Sequence, residues 1–229
     1  MPLIHLDAGH GGTDGGALGN GLKEKDLTLD ICKRIQAGLL ENYEGVKVSM
    51  SRSDDTFLSL DERARKANAA NADVFVSVHI NSAVDQRANG FESYTYTNVD
   101  SGTIAFQNVM HEQIMRSIGS GITDRGKKKA NFAVLRGSKM KAILTENLFI
   151  VNPTEAKLLG SPDFRQKIAD GHIIGLERFL GLKRASLPPP PKAEKLYRVQ
   201  VGAFEDKENA EAMVKDLEKA GYRPFIRYE

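Results

Sequence analysis

Val74-Phe75-Val76-Ser77-Val78-His79-Ile80 is the stretch on which the reading of the fold turns. It is apolar at every position except the serine and the histidine. A run of this kind is the pattern of a parallel strand covered by helices on both faces, and its length suits a strand rather than a helix. Upstream, residues 3–6 form another short apolar run, closing on Asp7 and the glycine cluster of residues 9–16; this predicts a buried strand entering a loop. Residues 46–50 predict a further strand. Between them, Leu27, Ile31, Ile35 and Leu39 recur at helical spacing, with Cys32 and Leu40 beside them, and Leu60, Ala64 and Ala67 mark a second helix. Downstream, residues 91–97 alternate as a strand and 104–118 are helical. Residues 132–135 and 142–145 read as short strands, and 153–159 and 164–180 as closing helices. Strands alternating with helices imply an α/β fold, a mostly parallel central sheet flanked by helices.

The composition breaks after that segment. Pro188, Pro189, Pro190 and Pro191 follow one another, which favours an extended, semi-rigid spacer. Beyond it, residues 196–201 alternate as a strand. Ala210, Met213, Val214, Leu217 and Ala220 mark a helix face, Gly221 stands where a C-terminal cap belongs, and 224–228 predict a last strand. The expected organisation is a catalytic domain at 1–183, a proline-rich linker at 184–194 and a small C-terminal βαβ unit at 195–229. That unit is too small to bury a core alone. Its residues Tyr197, Gln200, Phe204, Tyr222 and Phe225 are available either to its core or to a ligand.

The chain has 229 residues, 41% hydrophobic and 27% charged, with a net charge of +2, as in an ordinary globular protein. No nucleic-acid partner is expected: the one basic run, Lys127-Lys128-Lys129, reads first as a solvated loop, with contact to an anionic polymer as the alternative. Cys32 is the single cysteine, so no intramolecular disulfide forms, and its helical apolar setting predicts a buried structural thiol. No stretch approaches the roughly 20 apolar residues of a membrane span.

Chemistry concentrates at strand ends, where open α/β sheets gather ligands. His10 lies in Asp7-Ala8-Gly9-His10-Gly11-Gly12 after the first strand. His79 lies in Ser77-Val78-His79-Ile80-Asn81. Glu24, in Lys23-Glu24-Lys25, stands at the mouth of the first long helix. Two histidines and a carboxylate make a common catalytic zinc set that leaves a position for water. His5, His111 and His172 lie within a strand and helices and read as structural. Glu146, in Ala142-Ile143-Leu144-Thr145-Glu146-Asn147, follows a short apolar run and has the placement of a proton-transferring carboxylate. An ordinary surface glutamate has that placement too.

Taken together, Asp7-Ala8-Gly9-His10-Gly11-Gly12, Glu24, Ser51-Arg52, Ser77-Val78-His79-Ile80-Asn81, Val134-Leu135-Arg136 and Leu144-Thr145-Glu146-Asn147 occur in an order and spacing that resembles the zinc-dependent N-acetylmuramoyl-L-alanine amidases, in the branch of autolysins, sporulation lysins and phage endolysins. The resemblance covers residues 2–181. It implies one Zn2+ per chain on His10, Glu24 and His79, with Glu146 as catalytic acid/base. The bond cut would be the amide between the lactyl group of muramic acid and L-alanine of the peptidoglycan stem peptide. After the glutamate the chain departs from the usual pattern with Asn147-Leu148-Phe149, which bears on pocket shape. Leu196-Tyr197-Arg198-Val199-Gln200-Val201-Gly202-Ala203-Phe204 resembles the start of a sporulation-related repeat, a domain that binds glycan strands stripped of stem peptides.

Several expectations follow from the two resemblances. The partners are peptidoglycan and denuded glycan, and a homodimer would complete the half-domain, because an unpaired sheet edge is unfavourable. Asn81 would orient a ligand, and Arg52 would support Glu24 or the fold. Arg136 and the Arg125-Gly126-Lys127 loop either contact the anionic stem peptide or are solvated charge. The N-terminus shows neither a basic n-region nor a long apolar h-region, so synthesis in the cytoplasm and action on the wall after lysis or pore-mediated release are expected. A different zinc peptidase or deacetylase of peptidoglycan, or a non-catalytic wall-binding protein, are the competing readings.

Overall fold

The structure is a computed structural model, and it describes residues 1–185, 200–222 and 224–227. The chain divides into two compact units, Met1–Ala185 and Ser186–Glu229. In chain order the first unit contains β1 (Leu3–Ala8), the short hairpin β2 (Leu18–Gly19) and β3 (Leu22–Lys23), α1 (Glu24–Asn42), β4 (Tyr43–Glu44) and β5 (Lys47–Met50). It continues with α2 (Leu60–Ala69), β6 (Val74–Asn81), β7 (Phe91–Thr95), α3 (Ser101–Ile118), β8 (Asp124–Lys129) and α4 (Ala133–Gly137). It ends with β9 (Lys141–Phe149), α5 (Pro153–Gly160), α6 (Pro162–Leu180) and β10 (Lys183–Arg184).

Six strands form one sheet in the order β5-β1-β6-β9-β7-β8. Every neighbouring pair is parallel except β7 with β9, so the sheet is mostly parallel, as the alternation of elements implied. Because side chains alternate across a strand, the sheet has two differently covered faces. Ile4, Leu6, Val74, Val76, Val78 and Ile143 pack with Leu27, Ile31 and Ile35 of α1, Phe106 and Met110 of α3 and Ile168 of α6. On the other face a smaller cluster joins Phe75, Ala142 and Leu144 to Ala67 of α2 and to Val134 and Leu135 of α4. Each fully buried aliphatic side chain contributes about 1.5–3 kcal/mol. Helix ends are set by local chemistry: Ser59 and Glu62 form a reciprocal capping box at α2, and Gly181 takes the left-handed cap at the end of α6.

Three expectations are corrected. Residues 132–135 are no strand: Phe132 caps helix α4, whose Val134 and Leu135 are buried. An apolar run this short has no periodicity to separate strand from helix, and packing against α2 decides it. Lys127, Lys128 and Lys129 are no loop but the end of edge strand β8, in register with Ser93, Tyr94 and Thr95. The strand expected at 142–145 runs on to Phe149, so Glu146 lies within a strand rather than after one.

In the second unit the described residues form one helix, α7 (Lys207–Lys219), capped by Asp206 and with no buried residue. The linker prolines and Tyr197 lie outside the described residues, as do most of the strand expected at 196–201 and the end of that expected at 224–228. Residues 200–201 and 224–227 carry no strand assignment.

Candidate metal centre and its carboxylate neighbours

Register builds the site. Ala8 of β1 stands beside Val78 of β6, so the chain leaves β1 at Gly9 next to His79. A Cβ on Gly9 would lie 2.5 Å from the His79 ring, so only glycine passes there. The next residue, His10, has φ of 60°, in the left-handed region that side chains seldom adopt. This turn swings its ring towards His79, with ring centroids 5.0 Å apart.

Buried arginines hold the strained loop in place. Arg63 of α2 donates to the carbonyls of Ala8 and His10, each at 2.6 Å, and pairs with buried Asp7 at 2.9 Å. Arg52 donates to the carbonyls of Ala8, Gly9 and Lys25. Arg52 thus ties the His10 loop to the first turn of α1, which presents Glu24. Arg63 is absent from the sequence reading. Its place on the buried face of α2, next to Ala64 and Ala67, was the available signal.

Glu24, the first residue of α1, is 4% exposed. One carboxylate oxygen lies 3.1 Å from His10 Nε2 and accepts from the Ala17 amide at 2.8 Å. The other lies 2.9 Å from His79 Nδ1 and accepts from the Ile80 amide at 2.9 Å. Burial opposes the carboxylate, but these donors hold it well below the usual range. Burial also opposes a charged His10, yet Glu24 and Asp14 outweigh it and raise its pKa to about 9. Asp14 Oδ2 sits 2.8 Å from His10 Nδ1 and fixes the ring's orientation and tautomer, as partners of metal-binding histidines do. One ligand atom from each of His10, Glu24 and His79 lies within 4.8 Å of the others. Two imidazole nitrogens and a carboxylate oxygen this close are a donor set that suits Zn2+.

Glu146 of β9 is the register partner of His79 on one side and of Glu92 on the other. In-register residues point to the same face, so His79, Glu146 and Glu92 stand in a row across three strands. Glu146 differs from its neighbours in one respect: its Oε2 is buried without a hydrogen-bond partner among the described residues. Burial, opposed by His79 and reinforced by Glu24 and Glu92, pushes its pKa up to about 7.

Glu92 is another residue that sequence reasoning missed. It is buried, and its carboxylate accepts from Asn81 Nδ2 at 2.7 Å, Tyr94 OH at 2.9 Å and Arg125 Nε at 2.9 Å, with Lys128 Nζ also on it. Burial opposes the charge, but these donors bring its pKa down to about 2. Asn81 is thereby engaged with Glu92. The Arg125 to Lys128 segment lies beside this cluster. Arg136 bonds to Asn131 on the surface and joins neither group.

Asn147, the departure after the glutamate, faces the opposite side. Its Nδ2 donates to the carbonyl of His79 at 3.0 Å and to Thr145 Oγ1 at 3.1 Å. Thr145 in turn bonds His172 of α6 at 3.1 Å. These bonds span the register shift between His79 and Asn81, beside Leu148 at φ 71°. His5, bonded to Ser49 and Ser51, and His111, bonded to Ser93 and Asp124, are internal partners of the fold.

Residues 4–178 match the family described as N-acetylmuramoyl-L-alanine amidase, and residues 184–228 match the SPOR domain. The chain is 43% identical over 226 residues to the sporulation-specific N-acetylmuramoyl-L-alanine amidase of Bacillus subtilis (strain 168), covering 99% of this chain and 84% of that one. It is 49% identical over 195 residues to the endolysin of Bacillus phage SPP1, covering 84% and 71%. Among solved structures, the catalytic domain of CwlV, an N-acetylmuramoyl-L-alanine amidase from Bacillus (Paenibacillus) polymyxa var. colistinus, superposes with a TM-score of 0.75 at 37% identity. That match covers 80% of this chain and all of that one.

Proposed function

The chain belongs to the N-acetylmuramoyl-L-alanine amidase family, and from that premise we propose that it hydrolyses the amide between the lactyl group of muramic acid and L-alanine of the peptidoglycan stem peptide, with His10, Glu24 and His79 holding Zn2+ and Glu146 moving the proton. The observation that carries this is the row across β6 and β9, which sets a carboxyl with an unpartnered buried oxygen beside the three donor residues. When bound, zinc supplies Lewis acidity, acidifying water and polarising a carbonyl.

The chain's own residues do the rest. A carboxyl with a pKa near neutrality is poised both to accept and to release a proton. The Glu146 carboxyl takes the proton of the attacking water and delivers it to the departing alanine nitrogen. Glu24 is fixed by two backbone amides, so its oxygens keep their direction towards both rings. Asp14 orients His10, and Arg52 and Arg63 hold the loop carbonyls, so the donor set is preorganised rather than gathered on binding.

The test is digestion of purified peptidoglycan, scoring new N-terminal alanine and new reducing ends. New alanine termini without reducing ends, lost on chelation and restored by zinc, are expected. New amino groups on another residue would transfer the reading to a peptidase, and binding without release to a wall-binding protein.

The SPOR-domain match supports a wall-binding role for the second unit, and its ligand is proposed to be glycan stripped of stem peptides. Exposed Phe204, Tyr222 and Phe225 offer ring faces for such a polymer. Self-association of the unit is proposed from the absence of any buried residue on α7, although it carries Met213, Val214 and Leu217. Light scattering that finds a monomer at micromolar concentration would remove that part.

A further inference from the structure

Resting on the amidase reading, we propose that Arg125 and Lys128, anchored on Glu92, form a carboxylate-binding subsite for the stem peptide on the leaving-group side of the cleaved bond. The pair is built rather than incidental. Both cations converge on one buried carboxylate, which two neutral donors, Asn81 and Tyr94, also hold. The Arg125 guanidinium lies 4.8 Å from the centroid of the Phe149 ring, and Lys128 Nζ lies 5.9 Å from that of Tyr94. Arg125 Nη1 also donates to the Asn89 carbonyl at 3.2 Å. Long cationic side chains already fixed by such contacts lose little further freedom when an anion arrives.

What a ligand meets here is positive. Arg125 and Lys128 are 34% and 38% exposed, whereas Glu92 is 5% exposed beneath them. Of the other acids near Arg125, Glu155 is spent on the amides of Gly90 and Phe149, and Asp124 on His111 and the Gly126 amide. The row His79, Glu146, Glu92 sets the spacing: adjacent strands lie about 4.8 Å apart, so Glu92 stands about 10 Å from His79 along the sheet. An extended peptide advances about 3.3 Å per residue, so that span is about three residues, and the second residue past the cleaved carbonyl has its side of the chain within reach of the long Arg125 and Lys128 side chains. In peptidoglycan the first carboxylate beyond the alanine belongs to the D-glutamyl residue that follows it. Some walls carry this group as a carboxamide, which a guanidinium and an ammonium cannot grip as they grip a carboxylate.

The experiment uses the zinc-loaded full chain and two soluble muramoyl peptides, identical except that the residue after alanine carries a carboxylate or a carboxamide. The wild type is expected to favour the carboxylate in kcat/KM by about tenfold, through KM, with the preference shrinking as salt rises. The double variant Arg125→Gln with Lys128→Gln is expected to bring the ratio near one, and Arg125→Lys to keep part of it. A partly unfolded variant would slow both substrates together and leave the ratio standing. A ratio unchanged in the double variant, or a wild type that does not discriminate, overturns the subsite while leaving the amidase reading intact. A wild type that cleaves neither peptide nor whole peptidoglycan overturns the reading beneath it.

Discussion

Two buried carboxylates flank Glu146, and they are held in the same manner for different ends. Glu24, at the mouth of α1, is gripped by two histidine rings and two backbone amides. Glu92, in β7, is gripped by two cations, an amide side chain and a phenol. Both are kept ionised by their donors. The difference lies in what the donors can do next. Imidazole nitrogens can exchange a carboxylate contact for a shared metal ion, whereas a guanidinium and an ammonium can only seek another anion. Glu146 between them has neither kind of partner at Oε2, and burial leaves it able to change protonation near neutral pH.

The largest effect should come from the Glu24 side. Glu24→Gln removes the anionic member of the donor set, so zinc content after dialysis and amidase activity should both collapse. Retention of stoichiometric zinc, read by atomic absorption, would show that the two hubs are not different in the way described. Next, Glu146→Gln should lower the rate about 10²- to 10⁴-fold with zinc content and melting temperature held or raised, because the buried Oε2 has no hydrogen-bond partner to lose among the described residues. A fall in zinc content comparable to that of Glu24→Gln would make Glu146 a ligand rather than a proton carrier.

Stability against pH separates the site from the sheet interior. His5 and His172 are buried neutral, burial lowering both to about 4, below the unfolded value of about 6.5. The unfolded chain therefore binds more protons between those values, and stability present above pH 6.5 is lost as pH falls towards 4. By pH 5 the loss is about 2 kcal/mol per histidine. Denaturant midpoints that do not move between pH 7.5 and 5 would contradict it. The smallest effect belongs to the other hub. Glu92→Gln should destabilise by about 1–3 kcal/mol, since both cations keep access to water, with zinc content unchanged. Loss of zinc in that variant would merge the two hubs into one.

How much of this was legible beforehand follows from how local each signal is. The strand at 74–80, the helix of Leu27, Ile31, Ile35 and Leu39, and the glycine-rich loop carrying His10 are written in neighbouring residues. The candidate ligands His10, Glu24 and His79 could be singled out because strand ends and helix mouths are sequence features. Residues 132–135 defeated the same method, because a short apolar run takes its form from what it packs against. The lysines of β8 defeated it too: as an edge strand β8 is mostly solvent-exposed, and its polar face looks like a loop.

The sequence by itself determined the α/β class, the family and the residue types able to hold zinc, since these rest on periodicity and on motifs within a few residues of each other. Only the tertiary structure decided the row of His79, Glu146 and Glu92, the antiparallel entry of β7 beside β9, and the convergence of Arg125 and Lys128 on one carboxylate. The reason is register. A strand's partners and the face each side chain shares with them are set by pairing between distant segments, and a shift of one residue would turn every one of these groups to the opposite side.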